Sequence, residues 1–213
     1  MTETCSPGTG HPPAGPDKPG SIGLMLPGIE LDVVSLDDPS RVLPPNRTGE
    51  IRIKGPNVTR GYWNRPEETA QAFVGDRFLT GDIGCMDEDG YFYLVDRKKD
   101  LIISGGFNVY PQMIEQAVYT HPDVHEVLVI GIPDDYRGEA AKAFVTLKPG
   151  AKPFTLEALR AFLTGKLGKH ELPGALEFVG ELPRTAVGKL SRHELRARRV
   201  QTSPEPFSQA KLS

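Results

Sequence analysis

Glycine and proline together make up about a fifth of this chain, 23 and 20 of its 213 residues, against roughly 12% in ordinary usage. Both residues interrupt helices, so the composition excludes a helical bundle and points to many turns between short strands. The excess is steepest over residues 1–28, which hold six prolines and six glycines. That segment is expected to be a long loop with no room for a helix. The remainder can still bury a core, because hydrophobic residues are 38% and charged residues 25% of the chain, within the range of folded domains.

The formal net charge of -3 argues against a nucleic-acid-binding protein. No apolar run approaches the roughly 18 residues of a membrane span, and Met1 to Gly20 lacks the apolar stretch of a signal peptide. Cys5 and Cys85 are the two cysteines, too few for a disulfide framework or a zinc site. His11, His121, His125, His170 and His193 are scattered along the chain and suggest neither a metal cluster nor a triad. A reduced, cytoplasmic protein is expected.

The pattern predicts strands at Ile29–Val34 and, from clean alternation, a half-buried one at Glu50–Lys54. Asn64 before Pro66, with two acids following, marks a helix start that runs to about Phe73. Asp89-Gly90 reads as the tip of a hairpin between two short strands. The charge run Asp96 to Asp100 reads as a solvated linker and is placed at a domain boundary. Beyond it, strands are expected at Leu101–Ser104, Val124–Ile132, Ala141–Leu147 and Ala175–Val179. Helices are expected at Pro111–Thr120, Thr155 to about Leu167, and Leu190–Arg199. This order gives a small α+β domain over residues 97–200, followed by a disordered tail at 201–213.

Three segments stand out chemically. Asp82, between Gly81 and Gly84 (Thr80-Gly81-Asp82-Ile83-Gly84), is either a turn residue or a carboxylate able to accept from two neighbouring hydroxyls such as those of a ribose. Arg97 opens Arg97-Lys98-Lys99-Asp100, followed by Ser104-Gly105-Gly106-Phe107. Its forked donors suit phosphate or ribose, and paired glycines permit close backbone approach of a ligand; an ordinary linker and turn have the same composition. Lys189 follows Gly188 in a short loop before a helix, where a mobile cation could reach a developing negative charge or simply face solvent. There is no G-x-G-x-x-G and no phosphate-binding P-loop.

In order and spacing, these segments together resemble the adenylate-forming enzymes, specifically the acyl-CoA synthetase branch. Met1 to Thr4 is similar to the end of the Tyr-Gly-x-Thr-Glu motif. Gly49 to Pro56, then Gly61 to Trp63, is similar to the segment near the end of the large domain. Leu79 to Asp82 resembles the ribose-binding motif, Asp96 to Pro111 the hinge and first lid strands, and Arg184 to Lys189 the C-terminal lysine loop. The resemblance implies that residues 1–96 are the end of the AMP-binding large domain, a small β-barrel-like portion, and that residues 97–200 are the α+β lid.

By position, the resemblance implies the following roles. Thr2 would bond the α-phosphate, Glu3 would hold Mg²⁺, and Asp82 with Arg97 would grip the ribose of ATP or AMP. Lys99 would sit at the hinge. Lys189 would act as the catalytic cation between acyl carboxylate and α-phosphate. Ser104, Gly105, Gly106 and Phe107 would line the channel for CoA. The substrates would be a carboxylic acid, ATP and CoA, and the acid most similar by motif is a medium- or long-chain fatty acid, with a dicarboxylate such as pimelate or malonate as the alternative. Because the chain opens inside a family motif, the phosphate loop and acyl pocket are expected to lie in a missing large domain, and the chain alone is expected to be inactive. The alternatives are a stand-alone lid or CoA-binding module and a non-functional truncated product.

Overall fold

The computed structural model describes residues 1–202, with side chains through Arg198. The chain divides into two compact units, Met1–Leu101 and Ile102 onward. The division lies past the boundary placed at 96/97, and the cause is local. Arg97 is still in strand register with Asp82, and Lys98 is paired with Glu50, so the charge run finishes the first unit and is not a free linker.

The first unit is an antiparallel sheet of seven strands. In chain order these are β1 (Thr9–Gly10), β2 (Ser21–Met25), β3 (Glu30–Val34), β4 (Gly49–Lys54), β5 (Phe73–Val74), β6 (Arg77–Met86) and β7 (Phe92–Arg97), with one helix, α1 (Pro66–Ala72), before β5. Their spatial order is β1-β2-β7-β6-β4-β3, with β5 paired on β6. Residues 1–28 are therefore more ordered than their composition suggests. They carry a 3₁₀ turn at Thr2–Thr4 and the two strands β1 and β2. Glycine makes this possible at Gly23, where φ is +95° and a Cβ would lie 2.3 Å from the backbone of Gly10.

Leu31, Val33, Ile51, Ile53, Phe78 and Phe92 form the core of this unit. Strand β4 is not half-buried as its alternation implies: Glu50 and Arg52 are buried as well. Arg52 is neutralised by Asp32, Nε to Oδ2 at 3.1 Å, and donates to the Pro39 carbonyl at 3.2 Å. The β6–β7 connection is wider than a two-residue hairpin. Asp87 accepts the N–H groups of Asp89 and Tyr91, each at 3.0 Å, and Lys18 bridges Asp87 and Asp89 at 2.5 Å to each.

The second unit begins with the hairpin β8 (Ile102–Ser104) and β9 (Phe107–Val109), then α2 (Pro111–Tyr119), β10 (Val124–Asp134), β11 (Gly138–Leu147), α3 (Leu156–Leu163), β12 (Ala175–Phe178) and α4 (Arg192–Thr202). The sheet order is β10-β11-β8-β9, with β12 parallel to β11. Strands β10 and β11 are apolar on both faces because both are covered. Val127, Val129, Ala143 and Val145 pack with Ile114 and Val118 of α2 and Leu159 and Leu163 of α3. Leu128, Ile130 and Phe144 pack with Leu182 and with Leu195 of α4.

Two helix limits differ from the pattern. The third helix ends at Leu163, short of Leu167, because Gly165 takes φ +83°; its start is capped by the Thr155 hydroxyl on the Ala158 N–H at 3.2 Å. The last helix starts at Arg192 because Leu190 is bridged to Arg184, and Ser191 Oγ accepts the Glu194 N–H at 3.2 Å. It runs through Thr202, into the first residues of the expected tail; the rest of that tail lies outside the described residues. No helix among them is long and apolar enough to cross a membrane.

The third helix fixes the second core through Leu159, which is fully buried. Leu159→Ala is expected to cost about 2–5 kcal/mol through the cavity it leaves. Urea unfolding followed by circular dichroism would measure the loss.

Candidate functional site

The first unit brings four of the candidate residues to one cavity. Thr2, Glu3, Asp82 and Arg97 all line an open hollow of about 490 Å³, with Glu50, Tyr62, Thr80, Gly81 and Lys98 among its other walls. Asp82 and Arg97 face each other across the β6–β7 register, and they form an ion pair with Arg97 Nε 3.1 Å from Asp82 Oδ1. Glu3 sits in the turn Thr2–Thr4, where Tyr62 Oη donates to its Oε1 at 3.2 Å. The Thr59 N–H holds the Glu3 carbonyl at 2.8 Å.

The position of Asp82 is set by Thr80 and Gly81 before it and by Glu50 on the adjacent strand. Gly81 takes φ +70°, which breaks the regular strand just before Asp82. The Thr80 hydroxyl donates to the Ile51 carbonyl at 2.6 Å and accepts the Asp82 N–H at 3.1 Å. The buried Glu50 carboxylate accepts the Gly81 N–H at 3.1 Å and pairs with Lys98 at 2.7 Å. Strict alternation on β4 hides Glu50, since it places that residue on a solvent face. Lys99 lines an adjoining hollow of about 430 Å³ with Thr80, Gly81, Arg97 and Lys98, in the 3₁₀ turn Lys98–Asp100 that ends this unit.

Burial pushes the Asp82 carboxyl above its ordinary value of 3.8; Arg97 opposes this, and Glu3 and Glu50 add to it. Asp82 and Arg97 therefore form a pair in which the guanidinium partly offsets the burial of the carboxylate. Such a group accepts hydrogen bonds from a vicinal diol, while the guanidinium offers donors to an anion or a ribose oxygen. No group of three or more His, Cys, Asp or Glu residues among those described could hold a metal ion. Glu3 offers one hard carboxylate at the cavity, which suits Mg²⁺ shared with ligand phosphates, since that ion is commonly held by one or two carboxylates.

In the second unit, Ser104 is buried while Gly105, Gly106 and Phe107 are exposed at the β8–β9 turn. Gly105 and Gly106 take φ +58° and +81°, with no atom within 4 Å of a built Cβ, so this turn is open to a ligand. The Gly105 N–H donates to the Arg137 carbonyl at 2.8 Å, and Phe107 stacks on His170 with ring centroids 4.7 Å apart. Beside them lies a hollow of about 640 Å³ lined by Arg137, Arg160 and Lys169, with Leu167 and Leu172 as apolar walls. These three cations were not selected from the sequence, where they are far apart and carry no motif. Lys189 is exposed in a loop closed by the Thr185 N–H on its carbonyl at 2.7 Å.

Residues 1–63 match the family AMP-binding enzyme, and residues 113–189 match the AMP-binding enzyme C-terminal domain. The chain belongs to the AMP-binding, adenylate-forming enzyme family.

A long-chain-fatty-acid–CoA ligase of Bacillus subtilis is 50% identical over 181 residues, covering 85% of this chain and 32% of the relative. A 2-succinylbenzoate–CoA ligase of Geobacillus kaustophilus is 49% identical, covering 92% of this chain and 39% of the relative. Among solved structures, ATP-bound MatB from Rhodopseudomonas palustris superposes with a TM-score of 0.85 at 40% identity, over 93% of this chain and 39% of that one. The o-succinylbenzoate CoA synthetase of Bacillus subtilis, in complex with its acyl-adenylate intermediate, superposes with a TM-score of 0.79 at 33% identity, over 100% of this chain and 41% of that one. The chain thus spans between 32% and 39% of the length of the two curated relatives.

The raised Asp82 value has a defined sign. The folded state holds a proton there more tightly than the unfolded state does. The associated stability is present below the unfolded value of 3.8 and is lost as pH rises through the folded value. Arg97→Gln is expected to lift the Asp82 value further and widen that window. A carboxyl-carbon NMR titration of the two proteins would show it, and an unchanged or lowered Asp82 midpoint would contradict the pairing.

Proposed function

We propose that this chain supplies the ribose-binding end and the lid of an AMP-forming acyl-CoA ligase. In the first half-reaction a carboxylate oxygen attacks the α-phosphorus of ATP, and the bond to the β-phosphate breaks to release pyrophosphate. In the second, the CoA sulfur attacks the acyl carbon and loses its proton; the carbon–oxygen bond to AMP breaks, leaving a thioester. The observation that carries this reading is the convergence of Thr2, Glu3, Asp82 and Arg97 on one cavity.

In this reading, Asp82 and Arg97 grip the ribose and the Thr2 hydroxyl donates to the α-phosphate. Glu3 would hold Mg²⁺, which supplies charge neutralisation to the phosphates. Lys189 meets the negative charge that develops between the acyl carboxylate and the α-phosphate, where a preorganised cation lowers the barrier. Lys99 is assigned to the hinge, because one lid serving two half-reactions must turn. Ser104 to Phe107 are assigned to the CoA channel, and the neighbouring Arg137, Arg160 and Lys169 suit the phosphates of CoA. The acid is read as a medium- or long-chain fatty acid from the hinge and lid motif, with a dicarboxylate as the alternative. Residues 1–96 are read as the end of the AMP-binding large domain and residues 97–200 as the lid, working in the cytoplasm.

Taken on their own, the 213 residues hold no Ser/Thr/Gly-rich loop to cradle the β- and γ-phosphates. The expected outcome is that this chain alone releases no pyrophosphate from ATP with fatty, dicarboxylic or aryl acids, above the level of Lys189→Ala. Acid-dependent release that requires Lys189 would overturn this. Nucleotide recognition is tested separately by titrating AMP. Asp82→Ala removes charge-assisted bonds worth about 1.5–3 kcal/mol, so AMP binding should weaken about 10- to 100-fold. AMP binding insensitive to Asp82 would sink the proposal.

A second reading, a CoA-binding module, is favoured by the basic hollow in a unit that has its own core. It predicts CoA binding by the chain, weakened in Arg137→Gln and Lys169→Gln, with no response to AMP. Calorimetric titration with both ligands separates the two readings.

A further inference from the structure

The loop that carries Lys189 is fastened at both ends by a guanidinium on a carboxylate. At its start, Arg184 donates through Nη1 to the Gly188 carbonyl at 2.8 Å and through Nη2 to Glu126 of β10. At its end, Arg192 forks onto Glu115 of α2, Nε to Oε1 at 2.9 Å and Nη2 to Oε2 at 2.5 Å. Both anchors are themselves tied to the sheet. Glu115 Oε1 accepts the Val129 N–H at 2.8 Å, and the Glu126 N–H donates to Thr146 Oγ1 at 3.0 Å.

Between the two fastenings the backbone closes on itself. The Thr185 N–H donates to the Lys189 carbonyl at 2.7 Å, the Gly188 N–H to the Thr185 carbonyl at 2.8 Å, and the Ser191 N–H to the Pro183 carbonyl at 2.9 Å. Leu182, just before the loop, is fully buried against Leu128, Ile130 and Phe144. The Lys189 ammonium makes no ion pair among the described residues. A flexible lysine pairs readily with any carboxylate in reach. Glu126 is only one guanidinium away from the backbone of Gly188, and it is already occupied.

We propose that Arg184 and Arg192 are positioning residues for Lys189. They hold the loop that presents it, and Arg184 also occupies Glu126, which would otherwise capture its charge. The proposal rests on the reading of Lys189 as the adenylation lysine and adds what keeps that lysine placed and unpaired.

The test uses the 213-residue chain and two readouts that need no catalysis. One is NMR-detected amide exchange at Gly188 and Lys189. The other is the rate at which a small water-soluble acetylating reagent modifies Lys189 relative to the exposed Lys152, read by mass spectrometry. Arg184→Gln should speed exchange at the two loop amides by about fivefold or more while leaving Leu128 and Ile130 unchanged. It should also slow Lys189 acetylation by about threefold, as the freed Glu126 captures the ammonium. Adding Glu126→Gln should restore the acetylation rate but not the amide protection. Arg184→Lys, which keeps a cation on Glu126 without the fork, should restore the acetylation rate as well.

Unchanged loop exchange in Arg184→Gln would overturn the proposal. So would equal acceleration of all amides in the unit, or acetylation that ignores Glu126. Failure of the adenylation reading shows elsewhere, as AMP binding insensitive to Asp82, and leaves these rates as they are.

Discussion

A carboxylate almost wholly withdrawn from water, that of Glu50 at 3% side-chain exposure, organises the site end of the antiparallel unit. A buried charge is tolerated only when its oxygens are satisfied. Glu50 meets that condition by accepting the Gly81 N–H with one oxygen and the Lys98 ammonium with the other. Strand β4 is thereby tied to the break in β6 before Asp82 and to the turn after β7. Asp82 and Arg97 are placed by the same contacts, because they sit one residue from each of these ties. The placement of the Asp82–Arg97 pair is thus a consequence of satisfying a charge one strand away.

The second unit uses the same device at a different place. Glu115 is 11% exposed and Arg192 15%, and Glu115 also closes the Val129 N–H of β10. The carboxylate therefore joins a helix, a strand and the start of the last helix. In both units a carboxylate withdrawn from water is an internal fastening, and a candidate site residue lies in or beside a segment that it ties. Breaking one partner of such a pair costs more than the pair contributes, because the other charge is left buried.

That placement explains how much could be read from the sequence. Strands β3, β4, β10 and β11 are legible because β-branched and aliphatic residues occupy buried positions there. The helix starts at Pro66 and Pro111 are legible because proline fits a first turn. Strands β1 and β2 are not, since their glycines and the prolines around them mimic a loop and their pairing depends on a backbone approach at Gly23 that no side chain announces. Asp82, Arg97, Glu3 and Thr2 could be named as candidates for one site only through the family resemblance. Glu50, Arg137, Arg160 and Lys169 could not, because each becomes part of a cavity wall only through tertiary contacts between distant segments.

The division of chemistry along the chain also accounts for the pattern of relatives. Ligases named for a long-chain fatty acid, for 2-succinylbenzoate and for ferulate are 50%, 49% and 41% identical to it over comparable spans. Acids of such different shape share little beyond a carboxylate, whereas ATP and CoA are common to the reaction class. Similarity this even is what a segment would show if its constrained residues recognise the shared partners. The cavities fit that pattern: one is lined by hydroxyl, carboxylate and guanidinium groups, the other by three cations with two leucines. Neither is the deep apolar pocket that discriminating one acyl group from another by its methylenes would require. Under the proposed function, selection among acids is therefore best sought outside the two cavities described.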